Sequence, residues 1–409
     1  MELIGNVKCY EWGKRGHRSF VAQLARANDE QLAVQDDQPY AELWMGDHVN
    51  GPARVKRNGL PLDEAVRANP VGMIGNGGTD DANRLPFLLK VLSIAKALSV
   101  QVHPDKAEAE RLHRMFPDVY KDPNHKPELA IALTDFQALC GFRPYGEIAE
   151  LLQRWPALRT LLGETVLGLF EAQDASAVRV AYERVMHSTP EDIQRCVEGV
   201  ADALRTESTP DDPLSELFLR LHGEFGCDVG VLSIFFLNYV RLRPGEAIYL
   251  AASVPHAYLE GDCIECMACS DNVVRAGLTP KFKDVDTLLR LVAYDCRPAG
   301  SVLFQAQVLH PDTEPHTRTF IPPVPDFAVA EIRLPGEVRK YSVRNSATGS
   351  ILLVVRGKGT LHLPDGVAQL GFGTILFLPS STERLIELTV EPTDEPFLAF
   401  QAMRNDFVQ

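Results

Sequence analysis

Polar residues that could bind a metal ion stand at alternating positions in apolar stretches. Gln101 and His103 alternate with apolar neighbours, so in a strand they share one face. Lys126 and Glu128 share a face if their stretch is extended, and His256 lies in another strand-like segment. Two histidines, a carboxylate and an amide suit a borderline ion such as Zn²⁺ and leave it open to water or substrate. Spacing alone nevertheless favours ordinary buried histidines over metal ligands.

A second polar segment, from Glu265 to Lys281, contains Asp271, Asn272 and Arg275. Arginine and lysine recognise phosphate through charge-assisted hydrogen bonds, so the segment could line a pocket for a sugar phosphate. Its composition is also typical of a solvated loop, and without further information the loop is the favoured interpretation.

Cys263, Cys266 and Cys269 have a spacing that resembles a thiolate metal site. In a strand, however, Cys266 points away from the other two side chains. The next cysteine along the chain, Cys296, is distant. We therefore expect buried free thiols in this segment.

Strands, turns and one block of helices must position these residues. Residues 1–142 read as short strands and turns, with a helix from Pro104 to Phe116. Residues 143–225 show helical spacing and predict an all-α insert, and strand-like sequence resumes over 226–300 and 301–409.

The two strand-rich regions resemble each other. Segment 373–379 can be laid over segment 245–251 with both glycines matched, and Arg384 then falls where His256 stands. We predict a mainly β fold with two cupin-like (jelly-roll) β-barrel domains plus an all-α domain. Residues 1–142 and 226–300 would form the catalytic barrel around the insert 143–225, and 301–409 a second barrel without metal ligands.

Composition limits the class of protein. The chain has 409 residues, of which 45% are hydrophobic and 23% charged, as in soluble globular proteins. Its formal charge of −14 disfavours nonspecific nucleic-acid binding. The longest apolar run, 229–240, is too short to span a membrane, and we expect no secretion signal. Eight cysteines fit reduced thiols, so we expect a cytoplasmic protein. We also expect a monomer.

Several long strings resemble the type I mannose-6-phosphate isomerase family, members of the cupin superfamily. They are Tyr10–Gly13, Ala41–Gly46, Ser99–Lys106, His125–Glu128, Pro255–Gly261 and Ser270–Lys281. The strings cover residues 10 to about 285, whereas the helical insert and the C-terminal third match only in general layout. The resemblance implies interconversion of mannose 6-phosphate and fructose 6-phosphate, with a sugar phosphate as the only partner.

The same resemblance assigns roles to individual residues. It implies one Zn²⁺ per chain, held by Gln101, His103, Glu128 and His256. It implies catalytic roles for Arg275, Asp271, Lys126 and Glu265, and substrate binding by Lys281, Ser99, Trp12 and Glu42. Moving a proton between C1 and C2 requires a base and stabilisation of an enediolate. Asp271, Glu265 and a zinc-bound water all stay open as that base.

Two other functions remain alternatives. One is a cupin isomerase or epimerase that acts on another sugar phosphate, and the other is a noncatalytic cupin that binds a sugar phosphate. The complete string 270–281 and the full set of four ligands argue against both, because a binding module has no need of an open Lewis-acidic ion.

Overall fold

The computed structural model describes residues 1–75, 83–206, 212–364, 366–381 and 385–408. The strands up to residue 142 are β1 (Glu2–Ile4), β2 (Asn6–Lys8), β3 (Lys14–Arg15), β4 (Pro39–Tyr40), β5 (Glu42–Met45), β6 (Arg54–Val55), β7 (Phe87–Ile94), β8 (Val100–Val102), β9 (Glu128–Ala132) and β10 (Phe136–Phe142). The helices in this region are α1 (Phe20–Asn28), α2 (Leu62–Ala68), α3 (Pro70–Ile74) and α4 (Lys106–Met115).

The helices α1 to α3 correct the prediction that this region holds only strands and turns outside one helix. The Ser19 side chain caps α1 by accepting a hydrogen bond from Ala22 N, and the helix buries Val21 and Leu24. The predicted helix after Pro104 is confirmed as α4, but it begins at Lys106 because Asp105 is its N-cap. Pro104 therefore precedes the cap.

The predicted helical block is present. Its helices are α5 (Tyr145–Arg154), α6 (Pro156–Leu162), α7 (Glu164–Glu171), α8 (Ala177–Met186), α9 (Pro190–Thr206) and α10 (Pro213–Phe225). Their apolar faces form one core with Tyr182, Phe218 and Phe235 fully buried. Since these helices are short, most of their stability comes from this shared core.

The rest of the chain returns to strands. A 3₁₀ segment (Val229–Phe235) leads into β11 (Leu237–Leu242), β12 (Ala247–Leu250), β13 (His256–Ala268), β14 (Val274–Gly277) and helix α11 (Val285–Leu291). After a short 3₁₀ turn (Ala299–Val302) follow β15 (Thr317–Phe320), β16 (Ala328–Leu334), β17 (Lys340–Arg344), β18 (Ser350–Arg356), β19 (Gly359–Leu363), β20 (Gly366–Leu370), β21 (Ile375–Leu378), β22 (Leu385–Val390) and β23 (Phe397–Met403).

A ten-stranded sheet contains the predicted site. Its main path runs β11-β10-β13-β7-β5-β2, and β8, β9, β12 and β14 attach to it. The long strand β13 pairs with β10 and β8 near His256 and with β7 and β9 beyond Gly261. Strand β13 thus joins the two parts of the sheet that carry the polar residues.

The C-terminal strands form a seven-stranded sheet, β15-β16-β23-β18-β21-β1-β6, and a four-stranded sheet, β17-β22-β19-β20. Strands β1 and β6 from the N-terminal region complete the larger sheet through the pairing of β1 with β21. Apolar residues of this sheet, among them Phe377 and Phe400, share a buried core with Leu43 and Phe87 of the ten-stranded sheet. Arg384, matched to His256 in the internal alignment, lies outside the described residues.

Among the described residues, helices and strands are present in nearly equal amounts, 30% and 31%. The predicted combination of strand-rich regions with helices is thus confirmed, and the fold is mixed α and β. The share of helix is larger than expected because short helices within the strand-rich regions add to the helical block. Among the described residues, no helix combines the length and the apolar character needed to cross a membrane.

Candidate active site

Three of the predicted metal ligands meet in the core of the ten-stranded sheet. His103 follows β8, Glu128 begins β9 and His256 begins β13. One ligand atom from each lies within 4.8 Å of the other two, and all three side chains are buried. The Nε2 atoms of His103 and His256 are each 3.4 Å from a different oxygen of Glu128.

The donor atoms of this cluster are free to bind a cation. Each histidine points its Nδ1 at a main-chain carbonyl: His103 at Asn272 O (2.6 Å) and His256 at Val254 O (2.8 Å). These contacts fix the tautomer that leaves Nε2 with a lone pair. Within the described part of the chain, neither Nε2 nor Glu128 Oε2 makes a hydrogen bond. Buried polar atoms without a partner are costly, so the cluster fits a bound metal ion.

The protonation states agree with metal binding. Burial lowers the pKa of His103 to about 4, so the ring is neutral near pH 7. Burial alone would raise the pKa of Glu128, but the Lys126 ammonium 2.8 Å away holds it well below its usual range. A neutral imidazole and a carboxylate are the forms that bind Zn²⁺. The Lys126–Glu128 contact also confirms that these two side chains share a face.

The fourth predicted ligand, Gln101, lies beside this cluster in a row of paired residues. In the sheet Gln101 pairs with His256 on one side and with Arg275 of β14 on the other. Directly paired residues of antiparallel strands project on the same face. His256, Gln101 and Arg275 therefore line up across three strands, which brings the predicted arginine next to the metal-binding cluster. Burial lowers the pKa of the Arg275 guanidinium.

Lys90 is a buried site residue that the motifs did not reveal. It lies in β7, where its Nζ is 2.9 Å from Glu265 Oε2 and 3.7 Å from Glu42 Oε2. Burial alone would lower its pKa, but Glu265 and Glu42 raise it, so Lys90 stays charged. Burial also raises the pKa of the Glu265 carboxyl, although Lys90 opposes that shift. The sequence signal that could have revealed Lys90 is its position as the only charged residue in the largely apolar run Phe87–Ile94.

Glu42, Glu128 and Glu265 all project on one face of the sheet. In the sheet, Glu265 pairs with Lys90 on one side and with Ala130 on the other, and Ala130 is two residues from Glu128. Trp44 also pairs with Lys90, and Glu42 is two residues from Trp44. The Trp44 indole donates a hydrogen bond to Glu42. The result is a buried surface with carboxylates and a lysine beside the metal cluster, an arrangement suited to moving protons.

The other predicted residues lie around the edge of this surface. The Trp12 side chain is half-buried and stacks on Tyr10. The Trp12 main-chain carbonyl accepts hydrogen bonds from the N–H groups of Ala95 and Lys96. Ser99 is half-buried just before β8, and Lys281 is exposed in the loop after β14.

Asp271 is mostly exposed, unlike Glu265. Its carboxylate accepts a hydrogen bond from Asn50 Nδ2 at 2.7 Å and lies 3.7 Å from His48 Nε2. Asp271 and His48 border a cavity of about 700 Å³ that is also lined by Lys106 and Lys121. The structure therefore separates the two candidate carboxylate bases, with Glu265 inside the site and Asp271 at its border.

The cysteine string does not form a metal site. Cys263, Cys266 and Cys269 are free thiols, and each packs in a different apolar cluster. The prediction of buried free thiols is confirmed for the first two, and Cys269 is partly exposed just beyond β13.

Known proteins resemble this chain over its whole length. A family model described as "Phosphomannose isomerase type I, catalytic domain" matches residues 1–145. Mannose-6-phosphate isomerase of Rattus norvegicus is 42% identical over 401 residues, 94% of each chain. The Bos taurus protein of the same name is 41% identical over 418 residues, 97% of this chain and 96% of its own.

The fold is similar to a solved structure as well. Mannose 6-phosphate isomerase from Salmonella typhimurium, crystallised with fructose 6-phosphate and zinc, superimposes with a TM-score of 0.85 at 30% sequence identity. The superposition covers 99% of both chains. The likeness therefore includes the helical block and the C-terminal sheets, where the sequence strings gave no detailed match.

Proposed function

Because the chain belongs to the type I phosphomannose isomerase family, we propose that it is a zinc-dependent aldose-ketose isomerase that interconverts mannose 6-phosphate and fructose 6-phosphate. The observation that carries the proposal is the buried His103–Glu128–His256 cluster with its unpartnered donor atoms. The noncatalytic alternative has no use for such a cluster beside buried carboxylates and Arg275.

His103, Glu128 and His256 would hold one Zn²⁺, with Gln101 as the fourth ligand. The support for Gln101 is its pairing with His256 in the sheet. When bound, Zn²⁺ supplies Lewis-acid stabilisation of the negative charge that develops on the sugar oxygens. The carbonyl partners of the two Nδ1 atoms orient the rings for this role.

Glu265 is the base we favour among the candidates. The isomerisation moves one proton from C2 to C1 and a second from O2 to O1, through an enediol or enediolate. A single carboxylate can accept the carbon-bound proton and return it to the neighbouring carbon. The buried position of Glu265 and its raised pKa suit this exchange, and Lys90 holds the carboxyl in place. Asp271, at the border, is assigned to substrate contact.

Cationic residues stabilise and hold the anionic substrate. Arg275 would face charge on the sugar oxygens, since it lies in the row with Gln101 and His256. Lys126 contacts Glu128 and would relay the oxygen-bound proton or contact the sugar. Lys281, exposed in the loop that follows Arg275, would bind the phosphate.

The remaining predicted residues would shape the sugar pocket. Glu42 accepts a hydrogen bond from Trp44 and would accept another from a sugar hydroxyl, while Trp12 would pack on the sugar and Ser99 would donate a hydrogen bond.

The organisation of the chain is part of the proposal. We assign the ten-stranded sheet to a catalytic cupin barrel from residues 1–142 and 226–300, interrupted by the helical domain 143–225. Residues 301–409 would form a second cupin-like barrel without metal ligands. The support is the sheet pairing: all ten strands of the ten-stranded sheet come from residues 1–142 and 226–300, and the seven- and four-stranded sheets come from 301–409, apart from β1 and β6. A cytoplasmic location agrees with the free state of all eight cysteines, and a monomer is the state we propose.

A coupled assay tests the activity directly. Mannose 6-phosphate is supplied and fructose 6-phosphate is followed, with glucose 6-phosphate, the C2 epimer, as the control substrate. We expect turnover of mannose 6-phosphate that a chelator abolishes and added Zn²⁺ restores. Absence of turnover in the zinc-loaded protein would contradict the proposal, and faster turnover of glucose 6-phosphate would favour the alternative isomerase.

A further inference from the structure

One face of β14, the strand that carries Arg275, packs against the helical part of the molecule, which here means α10 and the 3₁₀ segment Val229–Phe235. In β14, Val274 and Ala276 are buried in the same apolar cluster as Phe218 of α10 and Leu232 of the 3₁₀ segment. Alternate side chains of a strand project on opposite faces. Arg275 therefore projects away from the helices, on the face that it shares with Gln101.

Two glycines bring the backbones of this strand and the 3₁₀ segment into direct contact. A Cβ atom on Gly230 would lie 2.3 Å from Leu278 N, and one on Gly277 would lie 2.3 Å from Gly230 Cα. Side chains cannot fit at either position, so the separation between the helical part and β14 is set by main-chain contact.

Asp228 ties the two backbones together at this point. Its Oδ1 accepts hydrogen bonds from Gly230 N at 2.7 Å and from Leu278 N at 2.5 Å. The first bond caps the 3₁₀ segment that follows α10, and the second lies three residues beyond Arg275. The other oxygen, Oδ2, is 3.5 Å from Lys283 Nζ.

The bond to Leu278 holds the chain where it changes direction. Leu278 has a φ of +53°, in the left-handed region that residues other than glycine rarely adopt. Leu278 is only 2% exposed, so without Asp228 its buried N–H would have no hydrogen-bond acceptor. The polar link between the end of β14 and the 3₁₀ segment would also be lost.

We propose that Asp228 is a positioning residue for Arg275, and that the 3₁₀ segment Val229–Phe235, packed in one core with the helical domain, fixes the arginine strand relative to the metal-binding row. This inference rests on the proposed function, because it assumes that Arg275 acts in the isomerisation. Asp228 does not touch the substrate: it acts by holding Leu278, and through the β14 backbone it sets the distance between Arg275 and His256.

A double-mutant cycle distinguishes positioning from general support of the fold. Asp228→Ala is expected to lower kcat/KM for mannose 6-phosphate about 10- to 100-fold, the effect of a small misplacement of a catalytic group. In an Arg275→Ala background the same change should have less than about a threefold effect, because the residue it positions is gone. Bound zinc should stay at one ion per chain. Asp228→Asn, which keeps an oxygen acceptor, should restore most of the activity.

Other outcomes are equally informative. If Asp228→Ala does not yield folded protein, Asp228→Glu takes its place, since it keeps the charge and moves the acceptor by one methylene. If Arg275→Ala turnover is undetectable, the dissociation constant of fructose 6-phosphate measured by calorimetry replaces kcat/KM. Equal losses in both backgrounds, or full activity of Asp228→Ala, would overturn the inference. An inactive unaltered enzyme would instead contradict the proposed function.

Discussion

At the scale of single residues, burial separates groups of the same chemical type into different roles. Glu265 and Asp271 are both carboxylates of one polar segment, but Glu265 is buried against Lys90 and Asp271 accepts a hydrogen bond from Asn50 at the border of the site. A buried carboxylate with a raised pKa is a stronger base, once ionised, than an exposed one.

Glu265→Gln tests this distinction. The amide keeps the shape of the side chain but cannot accept the carbon-bound proton, so kcat should fall about 10²- to 10⁴-fold. Zinc content, measured by atomic spectroscopy, should not change. Release of the isotope from mannose 6-phosphate labelled with deuterium at C2 should fall together with kcat.

A matched control lies in the same strand. Glu260 is exposed in β13 and pairs with Arg220, so Glu260→Gln should leave both kcat and zinc content near those of the unaltered enzyme. If Glu265→Gln retains normal turnover, the base is Asp271 or a water molecule instead.

At the scale of elements, strand β13 places two parts of the site because its pairing partners change along its length. Its first residues pair with β8 and β10 and carry His256, and its later residues pair with β7 and β9 and carry Glu265. Gly261 lies between them with a φ of +117°. A Cβ there would lie 2.6 Å from Asp135 O, so only glycine fits.

Gly261→Ala should therefore act on stability and on activity at once. The strained backbone and the close contact should lower the free energy of unfolding by about 1–3 kcal/mol. kcat/KM should also fall, because the two halves of β13 can no longer hold His256 and Glu265 in register. Urea unfolding and the coupled assay measure the two effects.

Gly146 provides the comparison. It lies in the first turn of α5, and a Cβ there meets no atom within 4 Å. Gly146→Ala should leave activity unchanged and stability equal or slightly higher, since alanine favours helix over glycine. A Gly261→Ala protein as stable as the unaltered one would show that position 261 tolerates a side chain.

At the scale of the whole molecule, the C-terminal sheets support the ten-stranded sheet through an ion cluster around buried Glu331 as well as through an apolar core. Glu331 of β16 is fully buried and accepts hydrogen bonds from Arg318 Nη2 at 2.7 Å and Arg333 Nε at 2.8 Å. Arg318 Nη2 also donates to Gly245 O, in the turn between β11 and β12. The cluster thus links the two main sheets.

Removing the carboxylate should weaken this link. Glu331→Ala leaves both arginines without their buried partner, and we expect a loss of about 1–3 kcal/mol, limited because both arginines are partly exposed to water. Thermal unfolding measures the loss. Glu337→Ala, at an exposed position of the same region, should have no measurable effect. Equal melting temperatures for the two variants would show that the link contributes nothing.

Local patterns were enough to predict a large part of this protein. Strand alternation grouped Gln101 with His103 and Lys126 with Glu128, and helical spacing located the helical block, because both depend only on the geometry of the nearby chain. The motif strings led to the family. The same local reasoning missed α1 to α3 and underestimated the share of helix, since short helices owe their stability to packing that spacing does not record.

Only the tertiary structure decided which distant groups meet. Lys90 lies between Glu42 and Glu265, which are 48 and 175 residues from it along the chain, and no spacing rule joins such positions. The net charge of −14 describes the whole chain, yet Lys90, Lys126 and Arg275 surround one buried site. The sequence by itself determined residue types, local conformation and family. The protonation state of each site residue depends on burial and neighbouring charge, and these exist only once the sheets have packed.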